Sequence, residues 1–285
     1  MWQYLLKNWL RAQAQEKVAE AVHQRAEEVK DGGSPPAPCD VGLVFALGIE
    51  AGGLIDLMSE VVSIKGHGLT AHEGTLDDRR LVVMQSGAGR EAAARATEAL
   101  ISGHQPQWVV SAGLAGGLSE EVPRGDFLMA DHVADVHGNS MAIDFHIDAD
   151  VLAGLPHLHV GRLLTVDEIV RTPEEKRSLG TKHNAVAVDL ETSAVADVCR
   201  QQHVRFLSVR VISDGADDQL PKEVEHLLRQ KTTASRLGAA AGAMFRRPSS
   251  VKDMLKLKED ALVLSDQLAV FLQGVLPQLP VRKDG

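Results

Sequence analysis

The sequence has few cysteines and no excess of basic over acidic residues, and each of these features excludes a class of protein. Cys39 and Cys199 are its only cysteines, so neither a disulfide framework nor a zinc ribbon is indicated, and a reducing cytoplasm is favoured. The formal net charge of −9 argues against a nucleic-acid partner, because counterion release from phosphates requires a basic face. We therefore expect a cytoplasmic protein that binds small molecules or other proteins.

The first 33 residues lack the basic start, continuous apolar core and cleavage site of a signal peptide, and they are too polar after Leu10 to span a bilayer. They predict a long amphipathic helix with Trp2 and Trp9 near its start. We expect this helix to pack on its own domain or on a partner subunit; the alternative is peripheral membrane contact through residues 1–10. The breaker-rich residues 34–40 predict a linker.

Residues 41–285 have the pattern of one large α/β domain. Hydrophobic residues make up 44% of the chain and charged residues 24%, which is ordinary globular usage. Apolar runs over 41–47, 81–89, 107–118 and 204–214 predict strands, and the Ala-rich segments "REAAARATEALISG" and "LETSAVADVCRQQ" predict helices between them. This alternation predicts a mostly parallel or mixed central sheet.

Beyond Asp218 the pattern changes to helices alone. Helices are predicted over 222–237 and 251–275, and the segment "FRRPSS" separates them. We expect this helical part, 221–285, to cover one face of the sheet or to extend a subunit contact.

Three carboxylates stand where apolar runs end. Glu50 follows the first predicted strand, Glu191 opens a predicted helix, and Asp214 ends the last strand in "VISDGADD". Taken singly, they are explained by a solvated loop, a helix dipole and a turn cap. The alternative is a ligand site at the carboxyl edge of the sheet, where open α/β folds bind their ligands.

Four segments in order and at the right spacing carry a resemblance to a known family: "VGLVFALGIEA", "SGAGREAAARATEALI", "VVSAGLAGGLSEEVPRGDFLMADHV" and "VAVDLETSAVADVCRQQHVRFLSVRVISDGAD". Together they resemble the purine nucleoside phosphorylase and nucleosidase superfamily, and within it the methylthioadenosine/S-adenosylhomocysteine nucleosidases. The resemblance implies a three-layer phosphorylase-like fold, with a central mixed β-sheet flanked by helices. It further implies a homodimer, a nucleoside substrate and no cofactor.

The same resemblance implies how the acids divide the work of cleaving an N-ribosidic bond. Asp214 protonates the leaving purine at N7 with Ser213 beside it, Glu191 binds the ribose hydroxyls, and Glu50 activates water. Asp217 and Asp218 are interpreted as turn charges. The remaining candidate binding residues are Leu47, Gly87, Ala115, Gly116, Ile169, Val170 and Leu190.

Hydrolysis is favoured over phosphorolysis by two positions. Ser111 stands where hexameric phosphorylases of the superfamily carry an arginine, with no cation nearby in the sequence, and Glu50 would repel phosphate. Arg90 after the Gly turn could supply a charge but is interpreted as a surface residue. Phosphorolysis and a non-catalytic nucleoside-binding scaffold remain as alternatives.

The 5′ substituent of the substrate is left open by departures from the nucleosidase pattern. Ile169 replaces the usual Phe that stacks on the purine, Leu190 replaces a frequent Met, and the expected 5′ segment, residues 135–148, has few aromatic residues. Futalosine hydrolase and the hopanoid-associated nucleosidase share the same catalytic core. Metal binding is not expected, because the spacing of the loop histidines (132, 137, 146, 157 and 159) matches no zinc pattern.

Overall fold

The computed structural model describes residues 38–66, 69–145, 147, 152, 154–221, 224 and 248–281. The predicted N-terminal helix lies outside the described residues, as does all but one residue of the helix predicted over 222–237. Within the described part, no helix is both long and apolar enough to cross a membrane.

In the described part of the chain, ten strands form one mixed sheet, and helices lie between them along the chain. The strands are β1 (Val41–Phe45), β2 (Ser59–Gly66), β3 (Leu69–Leu76), β4 (Arg79–Gln85), β5 (Trp108–Gly117), β6 (Phe127–Asp135), β7 (Ser140–Ala142), β8 (Leu158–Thr165), β9 (Ala187–Asp189) and β10 (Arg205–Asp214). The helices are α1 (Gly48–Leu57), α2 (Arg90–His104), α3 (Pro173–His183), α4 (Thr192–Gln201) and α5 (Pro248–Val275).

The sheet runs in the order β10-β6-β8-β9-β5-β1-β4-β3-β2, and β10 also pairs with β5. Five strands therefore close on themselves, while β1, β4, β3 and β2 extend from this ring as an open arm. Strands β1, β5 and β10 are mutually parallel through the β1–β5 and β10–β5 pairings. Their carboxyl ends consequently meet at one edge, which carries the site.

Helices cover both faces of the sheet, because the central strands are apolar on both sides. All five residues of β1 are buried, as expected of an internal parallel strand. One core cluster joins α2 and α4 to one face, and a second joins α1 and α5 to the other. This arrangement confirms the predicted three-layer fold.

The strands and helices predicted within the described part of the domain are present, and the differences have simple causes. The β2–β3 hairpin was not predicted, because β2 is an edge strand with no buried residue and carries a weak hydrophobic pattern. Helix α5 begins at Pro248, three residues before the predicted start, because proline is well tolerated in the first turn of a helix. Cys39, placed in the linker by sequence, is buried and donates its N–H to the carbonyl of His104.

Candidate active site

Glu50, Glu191 and Asp214 line a single cavity of about 330 Å³ at the carboxyl edge of the sheet. Seven of the eight predicted binding residues line it as well: Leu47, Ala115, Gly116, Ile169, Val170, Leu190 and Ser213. Gly87 does not; it lies in the preceding turn, and Ala88 forms the wall there. Residues from separate parts of the chain thus meet because parallel strands end at a common edge.

Glu50 lies in the first turn of α1, directly after β1. Its carboxylate accepts hydrogen bonds from the backbone N–H groups of Leu47 at 2.7 Å and Leu114 at 3.0 Å. A Cβ atom at Gly113 would lie 3.0 Å from Glu50 Oε1, so glycine makes room for the carboxylate. Burial raises the pKa of Glu50, which favours a group able to take up a proton.

Glu191 is the N-cap residue of α4 and is held by the Gly-rich turn before α2. Its Oε1 accepts a hydrogen bond from the backbone N–H of Gly89 at 2.8 Å. Gly89 has a φ of +97°, a backbone conformation that residues other than glycine rarely adopt. Burial and the nearby Asp189 raise the pKa of Glu191. The "SGAG" turn therefore positions a carboxylate that is far away in sequence.

Asp214 ends β10 with both carboxylate oxygens occupied. Ser213 Oγ lies 2.6 Å from Oδ1, and the ammonium of Lys176 lies 2.6 Å from Oδ2. The two neighbouring acids are engaged elsewhere, as the sequence predicted for turn charges. Asp217 forms an exposed ion pair with Arg177, and Asp218 accepts the N–H of Gly215.

A buried ion pair lies behind the acids and was missed by the sequence analysis. Arg210 Nη2 lies 2.9 Å from Asp189 Oδ2 and 2.7 Å from Ser111 Oγ, and both members of the pair are almost fully buried. The sequence around Ser111 has no cation, but the folded chain brings one to it. The cation comes from β10, which pairs with β5 in a register that places Ser208 opposite Ser111.

A second, water-sized cavity of about 10 Å³ lies beside the larger one. It is lined by Glu50, Ser86, Ser111, Glu191 and Arg210, among others. A polar cavity of roughly 10–15 Å³ holds about one water molecule. The two glutamates therefore face a space suited to one small, polar molecule.

The outer wall of the large cavity comes from α5. Leu257, Ala261 and Leu264 line it, and Arg124 forms an ion pair with Asp260 at 2.7 Å. No described residue of 135–148, the segment expected to shape the 5′ pocket, lines this cavity. The C-terminal helix supplies this part of the cavity wall.

The two missed cations differ in how far the sequence signals them. Arg210 interrupts the apolar run of β10, and a charge within a buried strand pattern indicates a paired or functional group. Lys176 lies in the polar segment "PEEKRSLGTKH", which gives no sign of burial.

Arg90 pairs with Asp135 at 2.8 Å, and His157 and His159 both contact Asp126. Among the described residues, no cluster could hold a metal ion.

The chain is similar to known proteins both in sequence and in fold. The model of the phosphorylase superfamily matches residues 40–247. A 5′-methylthioadenosine/S-adenosylhomocysteine nucleosidase from Staphylococcus haemolyticus is 24% identical over 216 residues, covering 68% of this chain and 95% of that protein.

Two solved structures share the fold. A mutant Helicobacter pylori methylthioadenosine/S-adenosylhomocysteine nucleosidase with 5′-methylthioadenosine in its active site has a TM-score of 0.65 at 21% identity, covering 85% of this chain and 99% of that one. Futalosine hydrolase of Helicobacter pylori has a TM-score of 0.65 at 20% identity, covering 85% and 98%. The family-model match extends over most of the chain, and it confirms the resemblance seen in the sequence: the protein belongs to the phosphorylase superfamily.

Proposed function

We propose that this protein hydrolyses the N-ribosidic bond of a 5′-modified adenosine and releases adenine. The observation that carries the proposal is the convergence of Glu50, Glu191 and Asp214 on one cavity. The similar nucleosidases support the same class of reaction. The substrate we propose resembles methylthioadenosine or S-adenosylhomocysteine.

Each acid has a distinct task in breaking a bond between C1′ and N9. Asp214 donates a proton to N7, so that the electron pair of the C1′–N9 bond moves into a purine that leaves uncharged. Glu191 accepts hydrogen bonds from the ribose hydroxyls, and these strengthen as positive charge develops on the sugar. Glu50 takes a proton from the water that attacks C1′, and its burial suits it to act as a base.

Water is favoured over phosphate as the nucleophile by the size and charge of the space beside Glu50. A cavity of about 10 Å³ beside Glu50 suits one water molecule. Arg210 lies there, but its charge is compensated by Asp189. Glu50 adds a negative charge at the same place. These features support hydrolysis over the phosphorolytic alternative.

Asp214→Asn tests the role of the acid, with Asp217→Asn as its matched control. General-acid catalysis contributes roughly 10²–10⁴-fold, so we expect adenine release by Asp214→Asn to fall by about that factor. Asp217 is exposed and paired with Arg177, so its variant should retain wild-type activity. An active, folded Asp214→Asn variant would contradict the assignment.

Product analysis separates the alternatives. Free ribose product, formed at the same rate with and without phosphate, is expected for hydrolysis, whereas a ribose 1-phosphate would identify a phosphorylase. Failure to release a free purine from any member of a panel of 5′-modified purine nucleosides, futalosine included, would favour the non-catalytic binding protein. The panel would also identify the 5′ group, for which the apolar side chains on α5 favour an apolar substituent.

We also propose that the protein is a homodimer, as its resemblance to the nucleosidases implies. Light scattering on the full chain measures this directly, and a monomeric mass at assay concentration would contradict it.

A further inference from the structure

Lys176 is buried behind the proposed acid, although its sequence context is that of an exposed helix. Its side chain is fully inaccessible, and its Nζ has three acceptors: Asp214 Oδ2 at 2.6 Å, the Gly215 carbonyl at 2.6 Å and the Asp218 carbonyl at 2.9 Å. An ammonium group has three N–H donors, so all of them are used. Asp214 lines the large cavity, and Lys176 is absent from its described lining.

The surrounding structure fixes Lys176 in place. Helix α3 starts with a capping box between Thr172 and Glu175 and has Pro173 at its first position. Lys176 follows directly, in the first turn of the helix. A rigid helix start therefore holds the ammonium against the end of β10.

We propose that Lys176 is a positioning residue for Asp214, and that its positive charge stabilises the carboxylate which forms when Asp214 gives up its proton. This inference rests on the proposed function, in which Asp214 protonates N7. Lys176 holds Oδ2, so the proton is placed on Oδ1. Ser213 Oγ, 2.6 Å from Oδ1, can then accept that proton's hydrogen bond, because its own hydroxyl has a second acceptor in the Ala115 carbonyl at 3.2 Å.

The proton transfer balances without another reactant. The O–H bond of Asp214 breaks, the N7–H bond forms, and the electron pair of the C1′–N9 bond enters the purine. The carboxylate left behind is paired with the Lys176 ammonium, a charge arranged in advance where negative charge develops. Lys176 therefore acts on the departure of the purine and leaves the binding of the ribose to other residues.

The test compares two leaving groups in Lys176→Met, which keeps an unbranched side chain of similar bulk and removes its charge. With a 5′-modified adenosine, we expect kcat to fall about 100-fold with KM changed less than about threefold, since the loss concerns the transition state. With a 4-nitrophenyl riboside, whose leaving group departs as a stable anion without a proton, we expect kcat within about threefold of wild type. Lys182→Met, at an exposed position on the same helix, is the matched control and should match wild type on both substrates.

Each outcome decides the matter. An equal loss on both substrates would show that Lys176 only supports the shape of the loop, and full activity on the adenosine would show that it has no role; either result overturns the inference. If Lys176→Met does not fold, Lys176→Gln decides by the same ratio, because its amide can still donate to the two carbonyls. Asp214→Asn, assayed in parallel, keeps the two proposals apart: if it is inactive while Lys176→Met is fully active, only the inference about Lys176 fails.

Discussion

Removing the charge of Arg210 should destabilise the protein strongly, because it would leave Asp189 ionised and buried. The two residues have side chains 3% and 2% exposed and lie 2.9 Å apart. Breaking a buried ion pair by removing one partner typically costs about 3–5 kcal/mol. Asp189 would keep its hydrogen bonds from Thr165 Oγ1 and from the N–H and hydroxyl of Thr192. We therefore expect the lower end, about 3 kcal/mol, for Arg210→Met.

Thermal and urea unfolding followed by circular dichroism measure this change. For a domain of this size, about 3 kcal/mol corresponds to a fall in Tm of roughly 6–12 °C. The double variant Arg210→Met/Asp189→Asn should lose little more stability than either single variant, which corresponds to a coupling energy of about 1.5 kcal/mol or more. Arg177→Met is the control, since its exposed pair with Asp217 is worth about 0–1 kcal/mol.

Two results would refute this reasoning. A loss below about 1 kcal/mol in Arg210→Met would mean that water or a rearrangement satisfies Asp189. Effects of the two substitutions that add within about 0.5 kcal/mol would mean that the pair is not coupled. If the reasoning holds, adenine release should fall together with stability, because Asp189 holds the start of α4, where Glu191 lies.

Two further predictions concern the packing of α1 and the ionisation of the buried glutamates. Gly53→Ala should destabilise by about 1–3 kcal/mol, because its Cβ would lie 2.7 Å from the Ser265 carbonyl oxygen, whereas Gly52→Ala, with open space, should be neutral or stabilising in urea unfolding. Burial raises the pKa of Glu50 and Glu191, so activity should be lost as pH falls through these raised values, above the ordinary range of Glu. Stability should change with pH in the opposite direction to activity. A carboxyl group whose pKa is higher in the folded than in the unfolded state stabilises the fold when it is protonated. The free energy of unfolding should therefore increase as pH falls from the raised pKa values toward about 4.5. Equal losses of stability in Gly53→Ala and Gly52→Ala would contradict the prediction about packing. Equal stability at pH 5 and pH 8 would contradict the prediction about the glutamates.

The site combines several buried acids with two buried cations, and this balance explains how the acids are tolerated. Asp189 is paired with Arg210 and Asp214 with Lys176. Glu50 and Glu191 have no ion-pair partner among the described residues and instead accept backbone N–H groups. Burial therefore acts most strongly on the two glutamates, which are the groups proposed to face the sugar and the water.

Much of the fold and of the site could be predicted because local pattern and topology are coupled in α/β proteins. The strands β1, β5 and β10 have mostly apolar sequences because they are buried on both faces, and an acid after such a run lies at the carboxyl edge of the sheet. That rule alone would bring Glu50 and Asp214 to one place. The resemblance to the superfamily added the role of each.

Tertiary structure alone decided which charges the acids meet. Nothing in the segment around Lys176 distinguishes it from an exposed helical lysine, and its burial follows from the packing of α3 against the loop after β10. Arg210 reaches Ser111 only because β10 pairs with β5 in one particular register. Hydrophobic periodicity reports which face of an element is buried, but it carries no information about which elements become neighbours, and electrostatic pairing depends on those neighbours.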